Sequence, residues 1–197
     1  MKRFLIGMAL ASGLHLAASS AMAQQKFVVT PLAEKTVAEL PAGPLFWRIE
    51  NFAALAQAQA AAGPWALVAE SAGKVWLFTL GPSGGASQGG TKIAEVGPIC
   101  QVVATQYLLR INEGSGPPGS ITPVHTHPGC EAFYVLTGET SSHTAAGVKP
   151  VAAGQSEAGQ GANMPMQVSS SGSTDLRSLV MFVVDATKPF SSPAKFP

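Results

Sequence analysis

The stretch from residue 119 to 138, GSITPVHTHPGCEAFYVLTG, constrains the fold more than any other part of the chain. A Gly/Pro-rich bend at residues 114–119 precedes it, and Gly138 closes it. Val124, His125 and Thr126 form a β-favouring run, so side chains two residues apart share a face. His125 and His127 therefore project side by side. Pro128-Gly129 breaks the strand and turns the chain. Glu131 opens the next strand, Phe133-Tyr134-Val135-Leu136, and returns beside the two imidazoles. Short apolar runs punctuated by 21 Gly and 15 Pro fit a turn-rich, all-β chain and exclude a helical bundle or a disordered one.

Two neutral nitrogens and one carboxylate converging on a point suit a divalent first-row metal. A set of three protein ligands leaves positions open for water or substrate. Gly119, His125, His127, Glu131 and Gly138 stand at the spacing of the first cupin motif: G, five residues, H-x-H, three residues, E, six residues, G. In this the chain resembles the cupin superfamily. The resemblance implies an antiparallel β-barrel of jelly-roll type with a metal inside it, here preceded by an N-terminal extension carrying one short helix. It also leaves open a homodimer formed through sheet edges.

The N-terminus reads as a targeting segment. Lys2 and Arg3 precede an apolar run from Phe4 to about Ala18, and Ala21-Met22-Ala23 fits a small-residue cleavage site. Residues 1–23 are thus expected to be a cleaved secretory signal, placing the protein in the periplasm or outside the cell, with no membrane association after cleavage. Its removal takes Lys2, Arg3 and His15 with it. The 174 residues that remain hold ten Lys+Arg against eleven Asp+Glu, a formal charge of −1. No basic patch survives, which argues against a nucleic-acid partner and for a small molecule. That length suits one domain with a sizeable core.

Residues 24–98 are expected to form the N-terminal extension packed on the barrel. Residues 24–43 read as an irregular arm with some β character at Phe27-Val28-Val29. A helix is predicted over residues 51–62, capped by Asn51, ended by Gly63-Pro64 and leaning on the barrel through Phe52 and Leu55. The runs at 65–69 and 74–80 read as a hairpin, with Trp65 and Trp76 in the core. Residues 99–187 form the expected cupin core, and 188–197 a loose, Ser/Pro-rich tail.

Two other patterns carry no chemistry. Gly81-Pro82-Ser83-Gly84-Gly85 fits G-x-S-x-G, but no helix follows Ser83 and no free histidine and acid follow in the order a hydrolase needs. Gly114 to Gly119 fits G-x-G-x-x-G, but Pro117-Pro118 forbid the helix that a dinucleotide fingerprint requires.

The second cupin motif is incomplete. Gly154 is followed by Gly159-Gln160-Gly161 in place of P-x-G, and the position of the fourth-ligand histidine holds Met164. Three outcomes compete. The metal keeps only His125, His127 and Glu131, resembling a two-histidine, one-carboxylate triad of iron oxygenases. Alternatively the Met164 thioether coordinates, which favours copper. In the third case Met164 is an apolar wall residue and the site is weak or empty. His143 is a further substitute ligand if its strand faces inward. Fe or Mn fits the donor set first, with Cu, Zn or Ni compatible.

Phe133, Tyr134, Met164 and Met166 are the candidate pocket walls, and Glu157 is the nearest candidate for a general base. Cys100 and Cys130 form an even pair in an exported chain, which invites a disulfide. Alternation puts Cys130 on the opposite side of its strand from Glu131, so it is not a ligand. The resemblance allows a metal-dependent dioxygenase, oxidase or isomerase acting on a small organic substrate. The alternatives are a cupin that binds metal or a small ligand without turnover, and a structural barrel.

Overall fold

The computed structural model describes residues 26–197; the expected signal segment lies outside them. The chain runs β1 (Val28–Val37), β2 (Phe46–Phe52), α1 (Leu55–Ala61), β3 (Ala66–Ser71), β4 (Lys74–Gly81), β5 (Thr91–Val96), β6 (Tyr107–Gly116) and β7 (His125–Thr126). It continues through β8 (Gly129–Thr137), β9 (Glu139–Thr144), β10 (Gly147–Ala152), β11 (Ser156–Glu157), β12 (Met166–Ser170), β13 (Leu176–Asp185) and β14 (Ser192–Pro193). Three antiparallel sheets result: β1-β6-β13-β8-β11, β10-β9-β12-β7-β14, and β3-β4-β2-β5.

The first sheet lies between the other two, and the side-chain period of a strand explains how. Along β13, Leu179, Met181 and Val183 face Trp47, Ile49, Trp76 and Phe78 of the third sheet. The intervening Val180, Phe182 and Val184 face Phe133, Val135, Met166 and Val168 on the side of the second sheet. A strand covered on both faces needs apolar residues at both parities, which is why LVMFVV is unbroken. Fully burying each large apolar side chain here contributes about 2–3 kcal/mol.

Several boundaries differ from those read in the sequence. The helix is shorter than residues 51–62, because Asn51 and Phe52 end β2 instead. Asn51 is paired with Trp76 and Phe52 with Val75, and the Asn51 side-chain amide donates to the Val75 carbonyl at 3.2 Å. Asn51 therefore caps nothing; Ala54 is the N-cap and makes no side-chain bond. The helix rests on Ala58, packed with Phe52, Ala66 and Leu77, while Leu55 stays exposed.

Residues 24–43 hold more than an arm. β1 forms the edge of the first sheet, paired with β6 along its length apart from a shift between Pro31 and Ala33. An edge tolerates a proline, which donates no ladder bond. The expected loose tail is also tied down. Ser192 pairs with Thr126 and Pro193 with His125, and the Ala194 amide donates to the Val124 carbonyl.

Candidate metal centre

β7 is two residues long and meets β12 at a single position, His125 opposite Met166. Its inward face carries His125, and His127 follows on the same side, their rings 5.0 Å apart. The chain then turns at Pro128 into β8, where Gly129 lies flat against β13. A Cβ at Gly129 would stand 2.1 Å from the Val183 carbonyl oxygen, so only glycine lets β8 approach there. Two residues on, Glu131 sits opposite Phe182. The ligand atoms of His125, His127 and Glu131 all lie within 4.8 Å of one another.

The hydrogen bonds settle which nitrogens are free. Nδ1 of His125 lies 2.8 Å from the Pro123 carbonyl oxygen, and Nδ1 of His127 lies 2.6 Å from that of Phe190. A carbonyl only accepts, so each Nδ1 carries the proton and each Nε2 keeps its lone pair. Burial pulls the His127 pKa down to about 4; the Phe190 carbonyl opposes this, and the charges of His125 and Arg110 add to it. His127 is therefore neutral, as a ligand must be.

Glu131 is 4% exposed. Burial, with a contribution from the charge of Glu157, pushes its pKa up to about 8. Its Oε2 has no hydrogen-bond partner among the described residues. A buried carboxyl with an orphaned oxygen, in a group whose ligand atoms lie within 4.8 Å of one another, is a deficit that a divalent cation removes. The residues present therefore fit a metal.

The loop in the place of the second cupin motif serves the backbone of this site. Gly159, at φ +70°, passes so close to Glu131 that a Cβ would lie 1.8 Å from the Glu131 carbonyl oxygen. The Asn163 amide donates to the His127 carbonyl at 2.7 Å. Met164 itself is 40% exposed and lines no part of the cavity, so nothing places its thioether beside the group. His143 lies outside the group: it projects from the outer face of β9, with Nε2 2.9 Å from the Ser169 hydroxyl.

The three ligand residues open on a cavity of about 540 Å³ whose wall is mostly apolar, with Phe27, Phe133, Val168, Val180 and Phe182 prominent. Of the expected wall residues, Phe133 is in place. Tyr134 is on the other face of β8, its ring 6.5 Å from that of Trp76. Met166 is sealed into the core beside Phe133 and Val135. Glu157, opposite Phe133 on β11, is buried, binds Lys149 at 3.1 Å and lines no part of the cavity. Cys100 and Cys130 are joined in a disulfide across a Cα–Cα distance of 5.7 Å, on the face of β8 turned away from Glu131. Phe182 and Phe190 were not singled out in the sequence. The parity of β13 would have revealed Phe182; nothing local marks Phe190.

Fold and site together define a cupin-like β-barrel with a His-His-Glu candidate metal group. No family profile and no curated protein sequence matches the chain. Its structural neighbours are cupin and double-stranded β-helix proteins. A cupin-like protein from Thermotoga maritima is 13% identical with a TM-score of 0.40, the match covering 45% of this chain and 65% of that one. An oxalate oxidase in complex with the substrate analogue glycolate is 21% identical (TM-score 0.35), over 44% of this chain and 46% of that one. The DMSP lyase DddQ from Ruegeria pomeroyi is 17% identical (TM-score 0.37), over 44% and 43%. The match spans less than two thirds of each of these proteins. These likenesses are of fold and say nothing of the chemistry of this chain.

Proposed function

We propose that this chain is an exported, metal-dependent enzyme of the dioxygenase, oxidase or isomerase kind, acting on a small, largely apolar organic molecule. The observation that carries the reading is a buried Glu131 carboxyl, one oxygen of which has no partner, grouped within 4.8 Å of two histidines whose Nδ1 protons are already engaged. His125 and His127 through Nε2, with Glu131, would hold the ion. With Met164 turned away, no sulfur joins the set, which favours iron or manganese over copper. A bound divalent ion supplies a Lewis-acid or redox centre for a substrate oxygen. The chain's own contribution is the enclosure. Phe133, Phe182 and Val180 take up an apolar body, and the Asn112 side chain offers a polar contact on the same wall. The disulfide fits an oxidising compartment, in keeping with export.

One observation favours a second reading, a cupin that holds metal or ligand without turnover. Among the described residues lining the cavity, Lys26 is the one titratable side chain outside the metal group, so no separate acid–base pair faces a substrate. Mass-spectrometric metal analysis of protein purified without chelator or nickel, beside His127→Ala, tests the metal reading. Near-stoichiometric iron or manganese lost in the variant supports it. A wild-type protein that neither contains nor takes up metal sinks it. Turnover by the metal-loaded protein then separates the enzyme from the binding module.

A further inference from the structure

The C-terminal segment does more than cover the barrel. β7, which carries His125, has one ladder position with β12; its other edge is held by β14, through Ser192 opposite Thr126 and Pro193 opposite His125. The Ala194 amide extends this to Val124. Just before β14, Phe190 meets His127 twice. Its carbonyl accepts from the His127 Nδ1–H at 2.6 Å, and its ring lies 4.7 Å from the imidazole. Phe182 holds both, with its ring 4.8 Å from His127 and 4.9 Å from Phe190.

Phe190 is itself clamped from the first sheet. The Arg110 guanidinium lies 4.3 Å from its ring centroid, within cation–π range. Arg110 is steered by Asn112, whose Oδ1 accepts from Nε at 2.9 Å, and is paired with Glu34 of β1 at 3.4 Å. A path of direct contacts thus runs from the sheet through Phe190 to the imidazole.

We propose that residues 190–194 are a positioning strap for the metal centre, with Phe190 the residue that fixes the tautomer and ring plane of His127. This rests on the metal reading for its purpose, but its geometry does not depend on an ion. A carbonyl at Nδ1 leaves Nε2 as the lone-pair nitrogen, and the flanking phenyl rings keep the imidazole from turning. Removing such a partner from a metal-ligating histidine typically lowers metal affinity 10- to 100-fold. A segment that merely covered the barrel would change stability and leave the ligand untouched.

The test uses the metal-free full-length chain, a deletion of residues 190–197, and the variants Phe190→Ala and Phe190→Tyr. Two quantities are read at neutral pH: the side-chain 15N shifts of His127 and the Zn2+ affinity by chelator competition. Thermal melting reports whether each variant is folded. In the wild type, His127 should carry its proton on Nδ1. The deletion should mix the two tautomers and weaken Zn2+ binding at least tenfold. Phe190→Ala should weaken it about three- to tenfold, and Phe190→Tyr, which restores a ring, should return it to within about twofold of the wild type. Should the deletion fail to fold, the Zn2+ affinity of Phe190→Ala decides, since alanine keeps the carbonyl and removes only the ring. A wild-type proton on Nε2, or folded variants with unchanged tautomer and Zn2+ affinity, overturns the proposal. A wild type that binds no Zn2+ yet shows the tautomer shift on deletion removes the metal reading and leaves the strap standing.

Discussion

Cys130 and Glu131 are adjacent in β8 and face opposite ways: Cys130 is bonded to Cys100 in the layer shared with the third sheet, while Glu131 points to His125 and His127. The covalent tie and the candidate ligand therefore share one stretch of backbone.

The first expected outcome concerns that tie. The bond closes a loop of 30 residues, which on chain-entropy grounds contributes about 3–4 kcal/mol. Replacing both cysteines by serine should lower the urea-unfolding free energy by roughly that amount. Equal stability of the oxidised wild type and the double variant would show that the bond adds nothing to the fold.

Two further candidates, Met164 and His143, were left open by the sequence and are separated from the triad by substitution. His127→Ala and Glu131→Ala should each abolish metal uptake. Met164→Leu and His143→Ala should leave metal stoichiometry and affinity within about twofold, since neither side chain reaches the group. Loss of metal in the Met164 variant would reinstate the thioether.

The pH dependence of the metal-free protein follows from Glu131. Its folded pKa of about 8 lies above the ordinary 4.5, so the folded state binds the proton more tightly than the unfolded one. That contribution to stability is fully present below pH 4.5 and is lost as pH rises through about 8. His127, lowered from 6.5 to about 4, works the other way: its contribution is present above pH 6.5 and is lost as pH falls through about 4. Urea titrations of the wild type should therefore show stability falling by about 2 kcal/mol between slightly acidic and alkaline pH. Glu131→Gln, which has no proton to lose, should flatten this decline. Parallel curves for the two proteins would count against a buried, proton-holding Glu131.

Gly159 offers a backbone test. Its φ of +70° and the 1.8 Å approach of a built Cβ to the Glu131 carbonyl leave no room for alanine. Gly159→Ala should cost about 2 kcal/mol or more and shift the Glu131 backbone, so metal affinity should fall with it. A folded variant with undiminished affinity would show that the loop can yield without disturbing the ligand.

The grouping of His125, His127 and Glu131 was legible because they lie within seven residues of one another, where strand parity and one Pro-Gly turn decide direction. The same parity put Cys130 on the far face, and it could have excluded Tyr134. The place of Met164 was left open because position in a motif does not give direction; its loop carries the backbone to the site, and the side chain is 40% exposed. The helix start was missed because Asn51 is both a good cap and an acceptable strand end, and pairing with β4 decided between them. Phe190 was out of reach: it lies 63 residues from His127, and the bond is made by a carbonyl that every residue possesses.

The two-sided burial of the first sheet bears on how this protein can be cut. Excising residues 46–96 as a detachable appendage would bare Leu109, Ile111, Leu179, Met181 and Val183, all now packed against Trp47, Trp76 and Phe78. The resulting fragment would keep every candidate ligand and display a continuous greasy wall to water, a recipe for clumping. The barrel is thus not a transplantable module: the sheet that carries Glu131 of the candidate metal group is also the lining of a second sandwich.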